Sequence, residues 1–360
     1  MKKSLMSLTI LILVIKSGYA ADKVQSKSTL TWTELPSLPD PLGVAGPFAG
    51  VHDDALIVAG GANFPKPVWE TEKQWHDNVF VLVKKRGGYE WIDGGHLPRP
   101  LAYGATISTP DGVVCMGGND GKETYANVFL LRWNSSNKSI SATNYPSLPK
   151  PCAFGQAAVI GNVIYLAGGQ SDLTLDSAMN NFWSLDLSKK DDPDRFAWKE
   201  LKELPGPSRA LNITVVQYHG DHHCLYVMSG RRQDGHDVQF LKDVWQYTPD
   251  VGTWQRRADL PQCVMAGTGI GYGRRHIFIL GGANGSLFFK GNELKDQHPG
   301  FPKEAFVFDT KTDSWKSAGS IPQNHVTTTA VMWDDRIIIP SGEIRPRVRS
   351  AKVWMVEPAQ

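Results

Sequence analysis

The sequence is short of the features that mark a specialised chain. Its 360 residues hold four cysteines: Cys115, Cys152, Cys224 and Cys263. None forms a CxxC pair or has a histidine at zinc-ligand spacing, which excludes a disulfide scaffold and a zinc module. The thiols read as small buried hydrophobes, with one bridge conceivable in an oxidising compartment. An excess of one charge is also missing. Lys plus Arg (38) against Asp plus Glu (36) leaves +2, whereas a nucleic-acid binder carries a strongly basic footprint. Low-complexity tracts are absent too, and the 35 Gly and 23 Pro are spread along the chain as turn punctuation. What is there is apolar material for a large core: 41% hydrophobic and 10% aromatic residues against 21% charged. That balance excludes a disordered chain, a collagen and a coiled coil.

Long apolar runs are equally scarce. Leu5 to Ile15 is too short to span a bilayer and no other segment comes close, so no membrane span is expected. That run follows Lys2 and Lys3 and precedes Gly18-Tyr19-Ala20, which reads as a signal peptide over residues 1–20, cleaved after Ala20. No Cys follows the cleavage site, so a lipoprotein anchor is not expected. Loss of three lysines would leave the mature chain, 21–360, at −1. The expected location is a bacterial periplasm.

Internal periodicity decides the architecture. A Leu-Pro or Ile-Pro dipeptide recurs at Leu38, Leu97, Leu148, Leu204, Leu260 and Ile321, at spacings of 51 to 61 residues. Some twenty residues after each, a β-rich apolar run ends in two small residues: Gly60-Gly61, Gly117-Gly118, Gly168-Gly169, Ser229-Gly230, Gly281-Gly282 and Ser341-Gly342. Trp32, Trp91, Trp198, Trp254 and Trp315 precede five of the dipeptides, and Tyr145 precedes the remaining one. Each unit reads as four short strands, because the apolar runs show no 3.6-residue period. The pattern resembles the kelch repeat, and six units predict one all-β domain, a six-bladed kelch β-propeller. After Ser341-Gly342 one strand remains, so the last blade lacks its Trp strand. The stretch Thr29–Leu35, with Trp32, supplies it and closes the ring.

Fold alone does not give function. Most such propellers bind proteins or carbohydrates without catalysis, and that remains the alternative reading. The sharpest chemical feature is Ser341-Gly342-Glu343-Ile344-Arg345-Pro346-Arg347-Val348-Arg349. Glu343 follows its small pair where the other blades have Ala62, Asn119, Gln170, Arg231 and Ala283. A carboxylate leaving an inner strand among three arginines is a plausible base. Arg99 and Arg209 each stand close behind a Leu-Pro and are candidates to hold an anion at the tunnel. Tyr103 and Phe154 are candidates to line the mouth. His222-His223 and Trp75-His76-Asp77 lack a third ligand at diagnostic spacing, so no metal site is expected. A copper radical oxidase is disfavoured because no Tyr, Cys and His set can be assigned to a metal.

Longer stretches then become specific. Asp40 to Gly50 with Ala55 to Ala62, Arg99-Pro100-Leu101-Ala102-Tyr103-Gly104, Met265-Ala266-Gly267 and Gly281 to Phe288 resemble the bacterial N-acetylneuraminate epimerases, the sialic-acid mutarotases. The Glu343 loop is similar to that family's Gly-Glu motif, with its Arg six residues on at Arg349. The order differs: in the family the Gly-Glu blade precedes the Gly-Val-Ala-Gly blade, and here it comes last, as in a circularly permuted member. A closed ring keeps every blade neighbour under such a shift. The resemblance implies interconversion of the α and β anomers of N-acetylneuraminate, without a cofactor, on a small sugar acid. It implies Glu343 as proton acceptor and Arg349 as the group that binds the carboxylate or polarises the sugar. A water, Tyr103 or protonated Glu343 could serve the ring oxygen, and Asn284 is a further binding candidate. The extra Arg345 and Arg347, and Thr268 after the Met-Ala-Gly motif, depart from the family pattern.

Overall fold

A computed structural model describes residues 29–359. The expected signal peptide lies outside the described residues. Six four-stranded antiparallel sheets stand around a central tunnel. Blade 1 runs from its inner strand Phe48–His52 through Ala55–Ala59 and Asn78–Lys85 to the outer strand Gly88–His96. Blades 2 to 5 repeat this order, beginning at Ala105–Thr109, Gln156–Ile160, Ile213–His219 and Thr268–Tyr272. Blade 6 takes Val331–Trp333, Arg336–Pro340 and Val353–Pro358 from the end of the chain and its outer strand Leu30–Leu35 from the beginning. Leu30 pairs with Pro358 and Leu35 with Val353, so the ring is closed as the strand count predicts.

The core is six wedges rather than one centre. One apolar cluster fills each gap between neighbouring blades, from Phe48, Ile57 and Val81 against Cys115, Phe129 and Leu131 to Leu38, Leu56 and Val58 against Val331 and Ile338. A second strand such as Ala55–Ala59 is buried at every residue because a blade packs on both of its faces. That is why these strands read as unbroken apolar runs. The four cysteines are free and buried inside this packing, and burial pushes the Cys152 thiol up to about 12.

The repeat marks explain themselves as joints. Each Leu or Ile of the dipeptide is buried, and its N–H donates to a carbonyl just ahead of its blade's third strand: Leu97 to Asp77, Leu148 to Ala126, Leu204 to Asn180, Leu260 to Lys242, Ile321 to Lys303, and Leu38 to Ala351. The Trp of the outer strand donates to the carbonyl two residues before the dipeptide of the preceding blade. Trp91 reaches Pro36 (3.0 Å), Trp198 reaches Pro146 (2.9 Å), Trp254 reaches Lys202 (3.2 Å) and Trp315 reaches Ala258 (3.0 Å). At the small pair the chain needs φ of +64° at Gly117, and a Cβ there would stand 2.0 Å from the carbonyl oxygen of Cys152 in the next blade. Serine takes that place in blades 4 and 6. The Ser229 and Ser341 hydroxyls accept from Val264 N–H (2.9 Å) and Val44 N–H (2.8 Å) of the following blade.

One ring of hydrogen bonds crosses every blade boundary. Gly46, Tyr103, Phe154, Leu211, Ala266 and Thr327 all sit at positive φ, between 53° and 66°. Each N–H donates to the carbonyl of its counterpart in the previous blade, from Tyr103 to Gly46 (2.8 Å) around to Gly46 to Thr327 (2.6 Å). These six residues form a neck. On one side lies the tunnel, a cavity of about 450 Å³ lined by the inner strands, and on the other the mouth, about 560 Å³.

Candidate functional site

The residue after each small pair pairs with the residue before the neck: Ala62 with Ala45, Asn119 with Ala102, Gln170 with Ala153, Arg231 with Ala210, Ala283 with Met265 and Glu343 with Val326. Six equivalent backbone positions thus encircle the mouth at one depth. Five of the six blades use neutral or cationic residues there, and blade 6 supplies the carboxylate.

Glu343 belongs to a two-stranded hairpin, Glu343–Arg345 against Val348–Arg349, turned at Arg347 with φ of +66°. The register sets Glu343 opposite Arg349 and brings Oε1 within 2.8 Å of Nη1. The same oxygen accepts the Arg347 backbone N–H at 3.0 Å. The Arg349 side chain is 3% exposed, against 18% for Glu343, so the pair is shielded at the arginine and reachable at the carboxylate. Arg349 also donates from Nε to the Ala62 carbonyl at 3.3 Å and lies 5.1 Å from the Phe64 ring centre. Burial works to lower its guanidinium, and the Glu343 carboxylate, with the Tyr103 hydroxyl, outweighs burial and raises it.

Around this pair the mouth is cationic and aromatic. Its lining carries Lys73, Arg231, Arg347 and Arg349 against one acid, Glu343. Arg347 packs between Phe64 (4.5 Å) and Trp69 (5.5 Å), and Lys73 stands over Phe64, Trp75 and Tyr103. Arg231 lies on Phe288 at 4.8 Å. Tyr103 is buried in the neck and stacks on Phe154 at 4.6 Å. Loops of three blades are tied together at the rim: Asp296 accepts from Trp69 Nε1 (3.3 Å) and pairs with Arg345 (2.8 Å).

Of the residues the sequence singles out, Glu343, Arg349, Tyr103 and Asn284 share the mouth, Asn284 in a turn closed by Ser286 N–H on its Oδ1 at 3.0 Å. Arg209 does not hold an anion at the tunnel. It is sealed between blades with a two-pronged pair to Asp243, at 2.9 and 2.6 Å, so its fork is already filled. Arg99 is also elsewhere, exposed and lying 4.6 Å over the Tyr125 ring. His76 bonds Asn63 Oδ1 (2.9 Å) and His222 pairs with Asp250 (2.7 Å). Among the mouth residues that sequence reading does not single out are Phe64, Trp69, Lys73, Arg231 and His298. Arg231 stood in the same repeat column as Glu343, and that signal could have found it. His298 lies in a non-repeating loop. Its Nδ1 accepts the Gly300 N–H at 3.1 Å, and burial, then Arg345, lowers its pKa.

Fold and site together define a six-bladed β-propeller whose mouth is a cationic, aromatic cup around a glutamate–arginine pair. The chain belongs to the N-acetylneuraminate epimerase family, which it matches over residues 6–140 and 145–298. Among curated relatives, the N-acetylneuraminate epimerase of Haemophilus influenzae (strain PittEE) is 27% identical over 238 residues, 59% of this chain and 59% of that protein. That of Salmonella enteritidis PT4 is 25% identical over 236 residues, 59% and 58%. The chain thus spans less than two thirds of the length of the relatives it matches. The solved structure of YjhT superposes with a TM-score of 0.64 at 14% identity, covering 88% of this chain and 94% of that one, which is a likeness of fold.

Proposed function

We propose that the protein interconverts the α and β anomers of N-acetylneuraminate by opening and reclosing the hemiketal ring at the mouth. The Glu343–Arg349 pair carries this reading. Glu343 takes the anomeric hydroxyl proton, the bond from the anomeric carbon to the ring oxygen breaks, and a proton passes to that oxygen. The open-chain ketone then turns and recloses on its other face, and the proton returns from Glu343. Arg349 holds the Glu343 carboxylate at 2.8 Å, and Tyr103, beside that guanidinium, serves the ring oxygen in this reading. The cationic cup suits a sugar acid, and the family membership supports the same substrate.

The reading extends to an exported, periplasmic protein, on the leader-like residues 1–20. It also includes a permuted blade order. The family match stops at residue 298, before the Glu343 hairpin, as expected if the family carries that blade earlier in the chain. Proton NMR of freshly dissolved α anomer tests the activity. Wild-type protein should speed growth of the β signal, and Glu343→Gln should lose about 100-fold or more of that rate. No acceleration by the wild type would overturn the reading.

A further inference from the structure

We propose that Arg231 is the residue that grips the substrate carboxylate, leaving Arg349 to serve Glu343. The inference rests on the mutarotase reading above and assigns within it a specificity-determining residue. In N-acetylneuraminate the carboxylate and the reacting hydroxyl are borne by the same anomeric carbon. Whatever holds the carboxylate must therefore stand at the depth of the base. Arg231 does so, since Ala210–Arg231 and Val326–Glu343 are equivalent bridges in blades 4 and 6.

Charge bookkeeping leaves the mouth cations Arg231 and Lys73 without an acidic partner among the described residues, and Lys73 is a point charge set over the rings of Phe64, Trp75 and Tyr103 rather than a fork. A second carboxylate brought beside Glu343 is repelled unless a free cation receives it. Arg349 is already ion-paired, with Glu343 at 2.8 Å and the Ala62 carbonyl on its Nε, although its buried Nη1 makes no hydrogen bond. Arg345 is paired with Asp296, and Arg347 donates to the Val68 carbonyl at 3.1 Å out on the rim. Arg231 has no acidic partner within ion-pair distance among the described residues, and its buried Nε has no hydrogen-bond partner. Its guanidinium carbon lies 4.8 Å from the centre of the Phe288 ring. A planar fork without an acidic partner is suited to a carboxylate.

The test crosses two ligands with three proteins: N-acetylneuraminate and its methyl ester, against wild type, Arg231→Met and Arg231→Lys. Calorimetric binding is measured alongside NMR mutarotation, with circular dichroism to verify folding. Wild type should prefer the acid over the ester by roughly ten-fold or more, and Arg231→Met should abolish that preference. KM for the acid should rise roughly thirty-fold with kcat within about three-fold. Arg231→Lys keeps the charge without the fork and should lose roughly ten-fold in acid binding, which gives the answer should the Met variant not fold. An undiminished preference in Arg231→Met, or unchanged acid binding in Arg231→Lys, overturns the proposal. Arg231-dependent binding without any mutarotation would uphold the carboxylate grip and sink the mutarotase reading. Absence of binding to wild type sinks both.

Discussion

Glu343 and Arg349 are six residues apart in sequence and directly opposed in a hairpin, so a single local turn builds the reactive pair. This is why the pair was legible from sequence, where a Gly-Glu step and a later Arg stand in one short segment. Arg209 and Arg231 show where that legibility ends. Both are blade 4 arginines flanking the same neck position, yet Asp243 captures one and the other is left open in the mouth. A partner 34 residues away decides between them, and no local pattern announces it. His325, buried next to Gly342, carries a separate consequence. Burial pushes it down to about 4, so the folded state resists a proton that the unfolded chain takes up near 6.5. Its contribution to stability is complete above that unfolded value and declines as pH falls toward 4, by about 3 kcal/mol at most. Urea unfolding at pH 7 and pH 4.5 should therefore show a loss that shrinks in His325→Gln.

At the scale of the blade, two of the three repeat marks, the dipeptide and the tryptophan, turn out to be parts of one joint. The dipeptide caps its own blade, and the carbonyl two residues earlier receives the next blade's tryptophan. The sequence showed the spacing and the strand count but not that joint, because its two halves belong to neighbouring repeats. Trp32 is the exception: its Nε1 is buried without a hydrogen-bond partner, although it occupies the same strand position. Replacing Trp198 by Phe should cost about 1 kcal/mol for the lost bond, beyond any packing change. The same replacement at Trp32 has no such bond to lose. Comparing urea midpoints of the two variants checks this, and equal losses would mean that the indole bonds contribute nothing to blade docking.

Over the whole molecule, stability is distributed among six similar interfaces, and the outer strand of blade 6 serves two of them. Leu30 belongs to the cluster shared with blade 5 and Leu35 to the cluster shared with blade 1. Removing residues 29–35 should accordingly damage more than one strand's worth of structure. The expected result is a lower, broader thermal transition and association through the bared edge of Val353–Pro358, read by calorimetry and light scattering. A sharp, unshifted transition would show that the ring holds without its clasp. The clasp also sets a clock. At roughly 5–20 residues per second, Leu30–Leu35 is synthesised on the order of tens of seconds before Val353–Pro358 exists to receive it. For that interval the earliest-made strand of the propeller has no partner, and the ring can be sealed only by the last segment to arrive.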